Sequence, residues 1–249
     1  MVGDLLLRGM LVGFVAGILA FGFSRTFGEP QIDRAIAFEE QMSRAKGGAP
    51  EPELVSRQVQ SSTGLFTGVV VYGAAIGGLF SLVVAFAYGR IGRFGPRALS
   101  AFLALAGFVA IVVVPAIKYP PNPPSIGDPE TIGMRTGLFF AMVLLSIIAL
   151  ALAVVLGHTL RARLGAWNAT IIAGAAFVTA VAVVQHCLPA VNEVPDQFSA
   201  AVLWHFRIAS LGIQAVLWTA TGLLFGYVAE RSLIFSAGRQ SATRLQFER

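Results

Sequence analysis

The sequence predicts an all-α fold, namely a polytopic integral membrane protein built as a bundle of six transmembrane helices. Of its 249 residues, 56% are hydrophobic and only 12% are charged, and the mean hydropathy is +0.75. Because a soluble domain carries about a quarter charged residues, the missing charge leaves long apolar runs that a bilayer accommodates. We therefore expect a single transmembrane domain over residues 1–249, without an appended soluble domain.

Six apolar segments have about the 20 residues that a helix needs to cross the hydrocarbon core. These segments cover residues 5–23, 65–88, 98–117, 136–156, 166–184 and 208–229. Helices are expected because a backbone in lipid has to satisfy its own hydrogen bonds. The third segment is the least regular, since Pro115 lies near its end, and the loss or merger of one helix would give five spans.

The arginines predict which side of the membrane each loop faces. With six spans, both termini and the loops 89–97 and 157–165 fall on one side, which carries ten arginines against three acids. The other side carries eight bases against ten acids. By the positive-inside rule the arginine-rich side is cytoplasmic, so both termini are predicted to lie in the cytoplasm. The high isoelectric point then reflects topology, and no nucleic-acid partner is expected.

The longest segment outside the predicted spans is the outer loop 24–62. Within it, Ile32, Ile36 and Met42 recur at helical spacing with acidic residues on the other side, which predicts a short amphipathic surface helix over residues 31–45. Two further outer loops are rich in proline. Proline holds a backbone in a stiff, extended path, so these loops are suited to form the walls of a site.

Glycines recur every fourth residue in three of the predicted spans. Small residues at this spacing let helix backbones approach closely. The simpler interpretation is packing within the chain, and the alternative is a face for an oligomer or a partner subunit. The glycines concerned are Gly9, Gly13 and Gly17 in the first span, Gly73 and Gly77 in the second, and Gly222 and Gly226 in the last.

The sequence lacks the motifs of the common catalytic and nucleotide-binding sites. It has no P-loop, no G-x-S-x-G, no H-E-x-x-H and no C-x-x-C-H, and Cys187 is its single cysteine. We therefore expect no enzyme and no tightly bound cofactor. A membrane enzyme acting on a lipid or cofactor precursor would need an acid or histidine in mid-membrane, and none is visible in the predicted spans.

Histidines and carboxylates in the predicted outer loops form the best candidate for a functional site. Imidazole and carboxylate ligands together suit a divalent first-row transition ion, and the loop 185–205 has to fold back between two spans. The alternative is that these side chains only solvate the helix ends. The candidate metal ligands are Glu29, Asp128, Glu193, Asp196, His186 and His205.

The bases at the outer helix ends also allow two interpretations. Lys118, Arg135 and Arg207 either form ion pairs with acids such as Glu130 and fix the outer loops, or they bind an anionic ligand. We favour ion pairs with a structural role.

Four segments of the chain resemble the CbtA family, and the resemblance extends over essentially the whole sequence. The segments are 28–36, which begins Gly-Glu-Pro, 118–132, which begins Lys-Tyr-Pro, 188–195, which contains Asn-Glu-Val-Pro, and 203–214, which begins Leu-Trp. The resemblance implies the membrane subunit of a cobalt transporter in the inner membrane of a bacterium, with Co²⁺ as the transported ion. The family is often described with five spans, whereas the charge pattern here favours six.

The resemblance also implies partners besides the bilayer. The CbtA family is usually paired with CbtB, a small single-span protein with a histidine-rich end, which would supply ligands that a chain with three histidines lacks. The alternative function is a structural or assembly subunit that binds a larger membrane complex through its glycine-rich faces and stiff outer loops.

Overall fold

The computed structural model describes residues 2–45, 55–92, 94–124, 126 and 130–247, with side chains described as far as residue 231. All regular structure in these residues is helical. Among them, five helices are long and apolar enough to cross a membrane. They are Val2–Ala45, Arg57–Ala87, Pro96–Lys118, Ile132–Cys187 and Ala200–Arg231. The predicted class, a helical membrane protein, is confirmed.

Most of the long helices consist of shorter elements that follow one another without a break. In chain order the α-helices are α1 (Val2–Phe23), α2 (Glu29–Ala45), α3 (Arg57–Val59), α4 (Leu65–Ala87), α5 (Pro96–Gly107), α6 (Val114–Lys118), α7 (Ile132–Cys187) and α8 (Ala200–Phe247). Wider π-helical turns join α1 to α2, α3 to α4 and α5 to α6. The surface helix predicted over 31–45 lies within α2.

Two of the π-helical turns end two residues before a proline. Ser24–Gly28 precedes Pro30, and Phe108–Val113 precedes Pro115. Proline has no N–H, so a carbonyl about one turn earlier loses its helical partner and the helix widens locally. In the second turn a freed carbonyl oxygen accepts a hydrogen bond from the hydroxyl of Ser146 on α7, which satisfies a backbone group that lipid would leave unpaired.

The long helix α7 is divided by Gly165. This residue has φ 75° and ψ 167°, a conformation that is nearly restricted to glycine, so α7 consists of two arms, 132–164 and 166–187. The arms lie against each other, because Met142 and Val181 belong to one buried cluster. Helix length alone identifies five membrane-crossing helices, so the six predicted spans stay a prediction.

The structure divides into two compact units, and the single transmembrane domain expected from the sequence stays a prediction. The first unit comprises Met1–Phe21, Thr63–Leu105 and Ala215–Arg249, and the second comprises Gly22–Ser62 and Ala106–Gln214. The core of the first unit includes Phe80, Leu99 and Phe225. The candidate site lies entirely in the second unit.

Glycines bring the helices of the first unit into close contact. A Cβ at Gly13 of α1 would lie 2.9 Å from the Cα of Gly77 on α4, and a Cβ at Gly226 of α8 would lie 2.9 Å from the Cα of Arg97 on α5. Side chains at these positions would force the helices apart, so the glycines contribute to packing within the chain. Similarly close approaches occur at Gly9, Gly17, Gly73 and Gly222.

Candidate functional site

A buried carboxylate at the start of α2 pairs with an arginine of α3. Glu29 and Asp33 are four residues apart and therefore on one face of the helix, and both accept hydrogen bonds from Arg57 of α3. The Nη2 atom of Arg57 contacts Oε2 of Glu29 and lies 2.9 Å from Oδ1 of Asp33. We call these three residues the Arg57 cluster; with two carboxylates and one guanidinium, its formal charge is −1.

Burial differs sharply between the two carboxylates of the Arg57 cluster. The side chain of Glu29 is 5% exposed, whereas that of Asp33 is 63% exposed. A charge as buried as that of Glu29 is stable only with a paired, hydrogen-bonded partner. Arg57 supplies that partner and also ties α3 to α2.

Glu193 is the second buried carboxylate of the candidate set. It follows α7, its side chain is 5% exposed, and it accepts hydrogen bonds from the hydroxyl of Thr131 and the guanidinium of Arg135. Arg135 lies in the first turn of α7, and Glu193 lies in the loop that follows the end of α7. The ion pair therefore joins the beginning of α7 to the loop after it. The ion pair neutralises the charge of Glu193 at this position.

Arg207 of α8 has neutral partners where the sequence predicts an acidic one. Its Nη2 atom donates to Oδ1 of Asn122 at 3.0 Å, and its Nε atom lies 3.4 Å from the carbonyl oxygen of Pro121. The proline-rich loop after α6 passes beside Arg207 and presents amide and carbonyl oxygens to it. Lys118 ends α6 and is partly buried, and Glu130 is exposed just before α7.

Two further hydrogen bonds join α7 and the loop after it to the segment around α6. The Tyr119 hydroxyl donates to the carbonyl oxygen of Pro189 at 2.8 Å, and the side-chain amide of Gln185 donates to the carbonyl oxygen of Val114 at 3.1 Å. Burial raises the pKa of the Tyr119 phenol, because the charged form would lose its hydration. The loop after α7 is thereby held against the segment around α6.

The remaining candidate metal ligands lie at the surface. His186, Asp196 and His205 are all exposed, and Nδ1 of His205 lies 2.7 Å from the carbonyl oxygen of Ala201, one turn earlier in α8. Asp128 lies outside the described residues. Among the residues that the structure describes, no three His, Cys, Asp or Glu side chains are grouped closely enough to hold a metal ion.

The structure therefore places two of the six candidate ligands, Glu29 and Glu193, in buried ion pairs, and it leaves three others exposed. Asp33, Arg57 and Thr131 belong to these ion-pair clusters and are missing from the set chosen from the sequence. The spacing of Glu29 and Asp33, together with a base in an acid-rich loop, was the available signal for the Arg57 cluster. The assignment of the six residues as metal ligands stays a prediction.

Five apolar helices and a set of loops fixed by ion pairs define an integral membrane protein with a polar region in its second unit. The family model described as "Probable cobalt transporter subunit (CbtA)" matches residues 2–230, nearly the whole chain. The chain belongs to the CbtA family. No curated protein and no solved structure matches it.

This match confirms the family inferred from the sequence and the function that the family description carries. The chain is a cobalt transporter subunit, and the alternative of a purely structural or assembly subunit is not favoured. As a subunit of a transporter it works with other components at the membrane.

Proposed function

We propose that the chain is the permease subunit for Co²⁺ uptake and that the Arg57 cluster receives the ion. The observation that carries the proposal is the convergence of two carboxylates, Glu29 and Asp33, on one nitrogen of Arg57. Carboxylate oxygens are ligands that divalent cations accept, and the spacing of Glu29 and Asp33 places both carboxylates on one face of α2. A divalent ion would compete with a monovalent guanidinium for a pair of charges that sums to −2.

In this proposal Arg57 acts as an internal counter-ion that Co²⁺ displaces. Without the ion, Arg57 prevents Glu29 from being buried as an unpaired charge. When Co²⁺ binds, the guanidinium moves away from the carboxylates, and its partial exposure of 26% gives it a route to solvent. The two negative charges of Glu29 and Asp33 then balance the two positive charges of the ion.

The exposed candidates form the entry to this site in the proposal. Asp196, His186 and His205 are accessible to a hydrated ion, and carboxylate with imidazole suits a transition ion. Glu193 positions their loop through its ion pair with Arg135. Asp128 is assigned to the same entry on the strength of its place in the sequence.

The proposed topology has six spans, with both termini in the cytoplasm of a bacterium and the candidate site outside. The support is the break at Gly165, because each arm of α7 has at least the roughly 20 residues that a span needs. Arg161 and Arg163 lie in exposed positions beside this break. A short arginine-rich turn between two spans is typical of a cytoplasmic loop.

The proposed partner is a small single-span subunit with a histidine-rich end. The description of the family as a subunit supports a partner of some kind. Three histidines are few for a chain that has to capture a transition ion from dilute solution. A histidine-rich partner would concentrate Co²⁺ near the exposed side chains of this chain.

The proposal is tested by Co²⁺ uptake in cells that lack other cobalt importers, with the chain expressed alone and with its small partner. Glu29→Gln and Asp33→Asn each remove one proposed ligand, so the concentration of Co²⁺ for half-maximal uptake should rise at least about tenfold. Glu40→Gln is the matched control, since Glu40 is an exposed acid of the same helix. The amount of each variant in the membrane fraction is measured in parallel.

Two results would contradict different parts of the proposal. No uptake by the native chain, with or without the partner, would remove the permease assignment. Uptake by the native chain that is unchanged in both Glu29→Gln and Asp33→Asn would leave a permease but reject the Arg57 cluster as its ion site.

A further inference from the structure

A cavity of about 270 Å³ lies in the first unit, between the beginning of α1, the end of α4, the beginning of α5 and residues 225–229 of α8. Leu5 of α1, Val84 of α4, Pro96 of α5 and Phe225 of α8 contribute to walls that are mainly apolar. Its polar groups come mainly from Arg8 in the second turn of α1 and from Tyr88 just after α4. The cavity therefore combines an apolar interior with a guanidinium and a phenol.

Arginines are concentrated around the same helix ends. Arg90 stacks on the ring of Phe86 at 5.0 Å, and Arg231 stacks on the ring of Tyr227 at 4.7 Å. Arg97 of α5 also stacks on the ring of Tyr227, at 5.5 Å from the ring centroid, and its Nη2 atom lies 2.6 Å from Oε2 of Glu230.

The local charge is positive in spite of two acids. Asp4 lies one turn before Arg8 on α1, and Glu230 is paired with Arg97. Against these two acids stand four arginines, at positions 8, 90, 97 and 231. An anion with an apolar part would meet favourable charge at the helix ends and apolar walls below them.

The surroundings of these helix ends narrow the choice of occupant. An apolar cavity that opens at the ends of transmembrane helices borders on lipid, and an empty one would forfeit dispersion contacts with its walls. Its volume is just below the roughly 300–1,000 Å³ of pockets that enclose a drug-sized molecule, so it can take part of an acyl chain. Basic pockets between transmembrane helices bind anionic lipid headgroups.

We propose that this cavity binds an anionic phospholipid, with one acyl chain against the apolar walls and the phosphate at Arg8. The guanidinium of Arg8 attracts the phosphate as well as the carboxylate of Asp4. Tyr88 lies at the level of the headgroup, where interfacial tyrosines are common. A free anion would gain nothing from the apolar walls, and a zwitterionic lipid would gain less from the arginines. The inference does not depend on the transport of cobalt.

The experiment measures lipid binding to the purified full chain in a mild detergent. Phosphatidylglycerol and phosphatidylcholine with identical acyl chains are titrated separately, and lipid retained on the protein is counted by native mass spectrometry. We expect phosphatidylglycerol to bind more tightly than phosphatidylcholine. Arg8→Gln should weaken the binding of phosphatidylglycerol about fivefold, as expected for one basic residue at a lipid surface, and should leave phosphatidylcholine unchanged.

Two variants and one further ligand make the test specific. Arg161→Gln removes an exposed arginine that does not line the cavity, and it should leave the affinity for phosphatidylglycerol unchanged. Ala229→Leu narrows the cavity without changing its charge and should weaken binding at least as much as Arg8→Gln. Inorganic phosphate should not compete with the lipid.

Several outcomes would overturn the proposal. These are equal binding of the two lipids, an unchanged affinity in Arg8→Gln or Ala229→Leu, an equal loss in Arg161→Gln, and displacement of the lipid by inorganic phosphate. A thermal unfolding curve without added lipid shows that each variant is folded, so an unfolded variant is not counted as a loss of binding.

Discussion

Replacing Arg57 by glutamine should destabilise the protein strongly, and a second substitution in the same cluster should restore part of the loss. Arg57→Gln leaves the Glu29 carboxylate, whose side chain is 5% exposed, without its cation. Breaking a buried ion pair by removing one partner costs about 3–5 kcal/mol. Because Arg57 is itself 26% exposed and therefore partly screened by solvent, we expect the lower end, about 3 kcal/mol.

A double variant distinguishes the cost of an unpaired buried charge from the cost of losing the contact between the two side chains. In Arg57→Gln/Glu29→Gln the buried carboxylate is replaced by a neutral amide, so the double variant should be more stable than Arg57→Gln by about 1–2 kcal/mol. Asp33→Asn removes only an exposed partner, 63% accessible, and should cost no more than about 1 kcal/mol.

Thermal unfolding of the purified protein in detergent, followed by tryptophan fluorescence, measures these differences. For a chain of this length about 1 kcal/mol corresponds to about 2–4 °C in Tm, so Arg57→Gln should lower Tm by about 6–12 °C. Arg44→Gln is the matched control, since its ion pair with Glu40 has side chains 77% and 57% exposed. An equal loss in Tm in Arg57→Gln and Arg44→Gln would contradict this prediction. So would a double variant whose Tm is no higher than that of Arg57→Gln.

Three further predictions concern helix packing, pH dependence and topology. Gly13→Ala should lower stability by about 1–3 kcal/mol because the new methyl group meets α4, whereas Gly68→Ala, with nothing within 4 Å, should not; unfolding curves of the two variants decide this. Burial raises the pKa of Tyr119 in the folded state, so the neutral phenol should contribute its full stability below pH 10, and this contribution should be lost as pH rises through the folded pKa. Tyr119→Phe should therefore lose less stability at alkaline pH than the native protein. An alkaline stability profile that is the same in both proteins would contradict this prediction. Cys187 is exposed and should react in intact cells with a membrane-impermeant maleimide, whereas labelling only after lysis would reverse the proposed orientation.

The membrane class could be predicted from the sequence because it depends on composition and segment length, which need no tertiary information. The region around Gly165 was also readable, since a short run with Arg161 and Arg163 separates two apolar segments. The structure places the break of α7 at this glycine.

The partners of the polar residues were harder to predict because they are distant in sequence. Glu29 pairs with Arg57 across 28 residues, and Glu193 pairs with Arg135 across 58. The types of residue can be read from the sequence, while the partner of each depends on how the helices pack. Arg207 illustrates this point, since packing places it beside Asn122 and not beside an acid.

The continuation of α1 into α2 was also missed. Gly28-Glu29-Pro30 suggests the end of a helix, because proline lacks an N–H and glycine is flexible. The chain instead widens into a π-helical turn over Ser24–Gly28 and remains helical to Ala45. A π-helical turn accommodates the missing N–H of Pro30, so the surface segment extends the first span without a loop between them.

The most direct test of the central claim is the flux of Co²⁺ into proteoliposomes that contain the purified chain with its small partner, followed by a cobalt-sensitive dye inside. The proposed function predicts saturable entry of Co²⁺ that exceeds entry into protein-free vesicles, with a higher half-saturating concentration in Glu29→Gln. Entry no faster than in protein-free vesicles, with the chain inserted and folded, would contradict the assignment of this subunit as the permease.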